Sequence, residues 1–93
     1  MPPDITRLFK GPDSEFEVEV VFAQLGDKSP RESHPFHEII LILEGSINLE
    51  RSDEGQTKKC KPRDLIEISP GVDHVLTVQE TPTKLLVIHP ERC

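Results

Sequence analysis

Apolar and acidic residues alternate strictly over Glu15-Phe16-Glu17-Val18-Glu19-Val20, with Phe16, Val18 and Val20 on one face and three carboxylates on the other. This is the pattern of a half-buried strand, and it predicts that the acidic face is solvated. Gly26-Asp27-Lys28-Ser29-Pro30 ends the pattern, and a β-branched and leucine-rich run from His37 to Leu43, closed by Glu44-Gly45, predicts a second strand. Ser46 to Arg51 reads as its return strand, Ser52-Asp53-Glu54-Gly55 as a hairpin turn and Gln56 to Cys60 as the next arm. Asp64-Leu65-Ile66-Glu67-Ile68, a strand from His74 to about Val78 and a last strand from Lys84 to His89 complete the series. Pro30 and Pro35 oppose a helix, and no segment carries a helical period. The chain therefore reads as all-β, with about eight or nine short strands forming a sandwich or small barrel, and closure removes exposed edges.

Ile39, Leu41 and Leu43 fall on the opposite face of their strand from Ile40 and Ile42, yet both faces are apolar, so the strand needs cover on both sides. A partner subunit in a homodimer is the first expectation; an N-terminal strand from Ile5 to Phe9 folded over the outside is the alternative.

Composition narrows the reading without changing it. Ninety-three residues make one domain, 1–93, with 1–14 as an N-terminal strand or arm. The chain has no Trp or Tyr and four Phe, so its core is built from Val, Ile and Leu. The net charge of −6, with scattered Lys and Arg, argues against nucleic acid as a partner, which needs a basic patch. No apolar run approaches a membrane span, and Met1-Pro2-Pro3-Asp4 lacks the features of a signal peptide, so no membrane partner and a cytoplasmic location are expected. Cys60 and Cys93 have no metal or redox spacing and read as free thiols.

Candidate chemistry rests on strand parity. Glu32, His34 and Glu38 share one face with Phe36, Ile40 and Ile42, and are answered later by His74. Two carboxylates and an imidazole on one inward face are costly to bury unless a positive charge neutralises them, and a divalent cation does so. By the same parity His37 points to the exterior or rim. His89, followed by Pro90, reads as a strand-end residue.

The spacing Gly26, Glu32, His34, Glu38, Gly45 resembles the first motif of the cupin family, with glutamate at position 32 where that family has histidine. Lys61-Pro62-Arg63-Asp64-Leu65-Ile66-Glu67-Ile68-Ser69-Pro70-Gly71-Val72-Asp73-His74 is similar to the second motif, with Arg63 in place of the usual turn glycine, Ser69 of a proline and, farther on, Val78 of an asparagine. Arg63 either makes a turn without positive φ or is strained there. The resemblance implies a small jelly-roll-like β-barrel of antiparallel strands, a cupin. It also implies a metal held by His34, Glu38 and His74, with Glu32 as a fourth ligand of altered type or a catalytic base.

Two imidazoles and two carboxylates suit Mn, Fe, Co, Ni or Zn; with Glu32 turned away, two histidines and one carboxylate remain, the set used by non-haem Fe(II) oxygenases. An interior of Phe36, Ile40, Ile42, Ile47, Leu49, Leu76 and Val78 suits a small organic molecule that chelates metal through oxygen. Arg31, Arg51 or Arg63 are candidates for holding its carboxylate, against the plainer reading of solvated surface charges. The expected function is a metal-binding cupin acting on such a molecule, with dioxygenase-like chemistry, or isomerase or lyase chemistry, as the enzymatic options. The alternative is a non-catalytic binding or sensing barrel, and the plainest reading is a relic site with His34 merely hydrogen-bonded.

Overall fold

The computed structural model describes residues 4–10 and 16–90, residues 7–10 by backbone alone; Glu15 and Cys93, both named above, lie outside them. The elements are β1 (Asp4–Lys10), β2 (Glu17–Ala23), β3 (Glu38–Glu44), β4 (Ile47–Arg51), β5 (Lys58–Cys60), β6 (Leu65–Ile68), β7 (His74–Val78) and β8 (Thr83–His89). They form a five-stranded sheet ordered β1-β2-β8-β3-β6 and a three-stranded sheet ordered β5-β4-β7, with every named pairing antiparallel. Among the described residues no helix is long and apolar enough to cross a membrane.

The alternation on β3, β4 and β8 sets the core. Glu38, Ile40 and Ile42 are buried while Ile39 and Leu41 are half-buried on the other face, and Thr83, Leu85, Val87 and His89 are buried along β8. Ile40, Ile42, Ile47 and Leu49 are almost wholly removed from solvent, each burial worth about 1.5–3 kcal/mol. The interior expected from the sequence is largely this one: Phe36 and Val78 are also buried, and Leu76 packs on the cluster from its edge.

Strand β2 lies the opposite way up from expectation. Its acidic face is not solvated: Glu17 is 2% exposed and Glu19 is half-buried, while Phe16 and Phe22 are exposed and Val18 and Val20 are half-buried. The cause is cross-strand. Glu17 pairs with His89, which receives its carboxylate, and the outer rows Val18–Ile88–Ile39, ending on Glu67 of β6, and Val20–Leu86–Leu41–Leu65 are apolar over β2, β8 and β3.

The N-terminal strand does not fold over β3. β1 sits at the sheet edge against β2, with β2 and β8 between it and β3, so it gives the outer face of β3 no cover.

Candidate metal centre

Glu38 opens β3 and points inward by the same parity that buries Ile40 and Ile42. His74 opens β7 and is 2% exposed; its N–H donates to the Glu32 carbonyl at 3.0 Å, and the Glu32 N–H donates back at 3.3 Å. Residues 32–37 are not a regular strand, so that isolated bridge, with the Gly71 N–H donating to the His34 carbonyl at 2.8 Å, fixes the Glu32–His34 segment beside His74. Position in space, rather than an unbroken strand, brings the expected residues to one place.

Four side chains named from the sequence converge there. His74 Nε2 lies 2.8 Å from Glu38 Oε2, His34 Nε2 lies 3.9 Å from the same oxygen, and Glu32 Oε1 lies 3.7 Å from His34 Nε2. The Glu32 side chain is 44% exposed and stands at the solvent side; that of Glu38 is 10% exposed. The His34 ring stacks in parallel on Phe36 at 4.7 Å between centroids. His37 is half-buried outside this group.

His89 is the residue that sequence reasoning missed. It ends β8, as the sequence implies, but it is buried there, with Nε2 3.1 Å from Glu38 Oε1 and Nδ1 3.3 Å from Glu17 Oε1. The signal was present: Leu85, Val87 and His89 share one face of β8, so two core residues vouch for the third.

Electrostatics follow from these contacts. Burial by itself would raise the Glu38 carboxyl, but the imidazoles of His74 and His89 close beside it outweigh burial and hold it at about 2. The close approach of Glu38 raises His74 above its ordinary value against the effect of burial. Burial opposes the charged form of His89, and Glu38 and Glu17 together more than offset it, so His89 is raised as well. Since a carbonyl can only accept, the contact of His74 Nδ1 with the Val72 oxygen at 3.0 Å puts a proton on Nδ1 and turns Nε2 inward.

The donor set suits a divalent metal. An ion about 2.1 Å from each donor holds those donors roughly 3–4 Å apart. The ligand atoms of Glu32, His34 and His74 lie within 4.8 Å of one another, as do those of His34, Glu38 and His89. His34 Nε2 and Glu38 Oε2 are buried and have no well-directed hydrogen-bond partner, the 2.8 Å approach of His74 being poorly aligned for one. Of the arginines considered for substrate, Arg31 pairs with Glu50 at 3.3 Å and Arg51 grips Asp53 through two bonds, while Arg63 is exposed in a turn.

Comparison with known proteins agrees with this architecture. The Cupin_2 family model, a cupin domain, matches residues 18–89. No curated protein sequence shows a significant match. Among solved structures, an RmlC-like cupin family protein with a double-stranded β-helix fold from Methanocaldococcus jannaschii superposes with a TM-score of 0.85 at 11% identity, over 97% of this chain and 81% of that one. The DMSP lyase DddQ from Ruegeria pomeroyi gives 0.79 at 21% identity, over 94% of this chain and 46% of the lyase. The polyketide cyclase RemF from Streptomyces resistomycificus gives 0.80 at 26%, over 95% and 65%. These likenesses extend the fold to proteins of different activity, and the match over residues 18–89, which takes in Glu38, His74 and His89, shows that the chain belongs to the cupin family.

Proposed function

We propose that this cupin binds a divalent transition metal through His34, Glu38 and His74, with Glu32 as a fourth ligand or general base, and acts on a small organic molecule that chelates through oxygen. The observation that carries the reading is the pair of buried atoms without directed partners, His34 Nε2 and Glu38 Oε2, facing one point beside His74 Nε2. Mixed imidazole and carboxylate donors favour Mn, Fe, Co, Ni or Zn. The ion, when bound, supplies Lewis acidity and, as iron, redox chemistry with dioxygen, so a dioxygenase-like reaction is the first to assay and isomerase or lyase chemistry the next.

The chain's own residues divide the remaining work. Glu32, whose side chain is 44% exposed beside His34, is the residue proposed to take a proton from the substrate. Phe36 braces the His34 ring, and Ile40, Ile42 and Leu49 keep the interior aliphatic. Metal analysis of protein purified without chelator, repeated for His74→Ala and Glu38→Ala, tests the reading: a stoichiometric ion lost in both variants supports it, and a metal-free parent after supplementation overturns it.

A second reading has its own observation. Glu38 already contacts His74 and His89 through separate oxygens, a cluster that balances much of its charge without an ion and so is compatible with a non-catalytic binding or sensing barrel. A small molecule that raises the melting temperature without turnover favours it.

The same proposal includes a homodimer joined through the outer face of the larger sheet, where Val18, Val20, Ile39, Leu41, Leu86 and Ile88 are only half-buried and Leu65 is 68% exposed. The free, buried thiol of Cys60 suits a reducing cytoplasm.

A further inference from the structure

We propose that His89 is a further ligand of the metal centre, supplying a third imidazole from β8, and that Glu17 is the positioning residue that holds it. This rests on the metal-binding reading above and names residues outside its ligand set.

His74 and His89 are arranged alike around Glu38. Each has Nδ1 against an oxygen, the Val72 carbonyl at 3.0 Å for His74 and the Glu17 carboxylate at 3.3 Å for His89. Each turns Nε2 to a separate oxygen of Glu38, at 2.8 and 3.1 Å. An imidazole fixed at Nδ1 by a carboxylate or carbonyl, with Nε2 presented inward, is how proteins orient a histidine toward a metal. The rings of His74 and His89 also meet the His34 ring edge-on, at 65° and 66° and with centroids 5.2 and 5.9 Å away, so both imidazoles lie against His34. The ligand atoms of His34, Glu38 and His89 lie within 4.8 Å of one another, and Glu38, 7% exposed, keeps Oε2 without a directed partner among them.

Glu17 explains the orientation of β2. A carboxylate 2% exposed needs a compensating partner, and turning the acidic face of β2 inward delivers it to His89. Glu32, by contrast, is at the solvent side, which leaves the inner positions to His34, Glu38, His74 and His89.

The test is Co(II) binding by metal-stripped protein, followed by competition with a chromophoric chelator and by the visible spectrum of the bound ion. Glu17→Gln keeps the side chain's shape, and its dissociation constant is expected to rise about 10–100-fold with an altered Co(II) spectrum; His89→Gln is expected to weaken binding further. If both bind within twofold of the parent and keep its spectrum while His74→Ala loses the ion, His89 is not a ligand although the metal reading stands. A parent that binds no Co(II) overturns both. A measurement free of substitutions is a Zn(II) titration of protein labelled with ¹⁵N at histidine. Coordination shifts at His34, His74 and His89 are the expected result, and an unmoved His89 Nε2 overturns the assignment.

Discussion

Glu38 and His74 meet at 2.8 Å inside the barrel, a carboxylate held at about 2 against an imidazole raised above its ordinary value. In the metal-free protein this relationship sets a pH window. The contribution of Glu38 is full above its unfolded value of 4.5 and is lost as pH falls from there through about 2. Those of His74 and His89 are full below 6.5 and are lost as pH rises through their elevated values. The melting temperature of chelator-treated protein should therefore peak between about pH 4.5 and 6.5. A flat profile from pH 5 to 9 contradicts this.

Gly45 should not tolerate a side chain. It has φ +80°, and a Cβ there would overlap Thr83 Oγ1 and lie 2.6 Å from the Pro82 carbonyl oxygen and 2.7 Å from Thr83 Cα. Thr83 cannot easily retreat, because its hydroxyl donates to the Glu80 carbonyl at 2.8 Å and accepts from the Ser46 N–H at 3.3 Å. Gly45→Ala is expected to lower stability by about 2–4 kcal/mol, from backbone strain and overpacking together. Urea denaturation measures it, and a midpoint unchanged from the parent removes the argument.

These positions show what could be read from the chain alone. The β3 run was legible because an unbroken β-branched and leucine-rich stretch closed by Glu44-Gly45 set its extent, and the motif spacing gave the placing of Glu38 and His74. On β2 strict alternation separated two faces but could not say which faced inward, since that depended on His89 arriving across the β2–β8 register. Glu17 was assigned to solvent by charge, a fair prior for an isolated carboxylate and the wrong one beside a buried imidazole. The edge position of β1 likewise follows from the order β1-β2-β8-β3, a non-local fact that no local pattern carries.

Arg63 occupies a glycine's conformation. Its φ is +77° in the turn Lys61-Pro62-Arg63-Asp64, where proline precedes it and the Asp64 N–H donates to the Lys61 carbonyl at 3.0 Å, as in a type II turn. Arg63 is exposed, so little packing compensates. Arg63→Gly is expected to stabilise the fold by about 1 kcal/mol, seen as a higher melting temperature with metal binding unchanged. A lower melting temperature means that the arginine side chain contributes more than its backbone strain removes.

The apolar outer rows give the dimer a direct test. Leu65 is 68% exposed and pairs with Leu41 at the β6 side of the sheet, so Leu65→Lys places charge on the proposed interface without disturbing the core. Sedimentation of the parent as a dimer and of the variant as a monomer with intact β circular dichroism is the expected pair of results. A parent that is monomeric at micromolar concentration rules the dimer out.

Metal binding should also appear as stability, because the ligands come from segments that only folding brings together. Glu32 and His34 precede β3, Glu38 opens it and His74 opens β7, so the unfolded chain has no comparable site. A ligand at 100 times its dissociation constant that binds only the folded state adds about 2.7 kcal/mol. In a domain of this size each kcal/mol is worth roughly 4–8 °C, so saturating Co(II) should raise the parent melting temperature by about 10–20 °C. Glu38→Gln keeps the size of the side chain but removes the charge that faces both His74 and His89, and should lose most of that increment. An equal rise in parent and variant would trace the effect to ions bound elsewhere on an acidic surface, because a centre built around Glu38 cannot keep its affinity when that carboxylate is neutral.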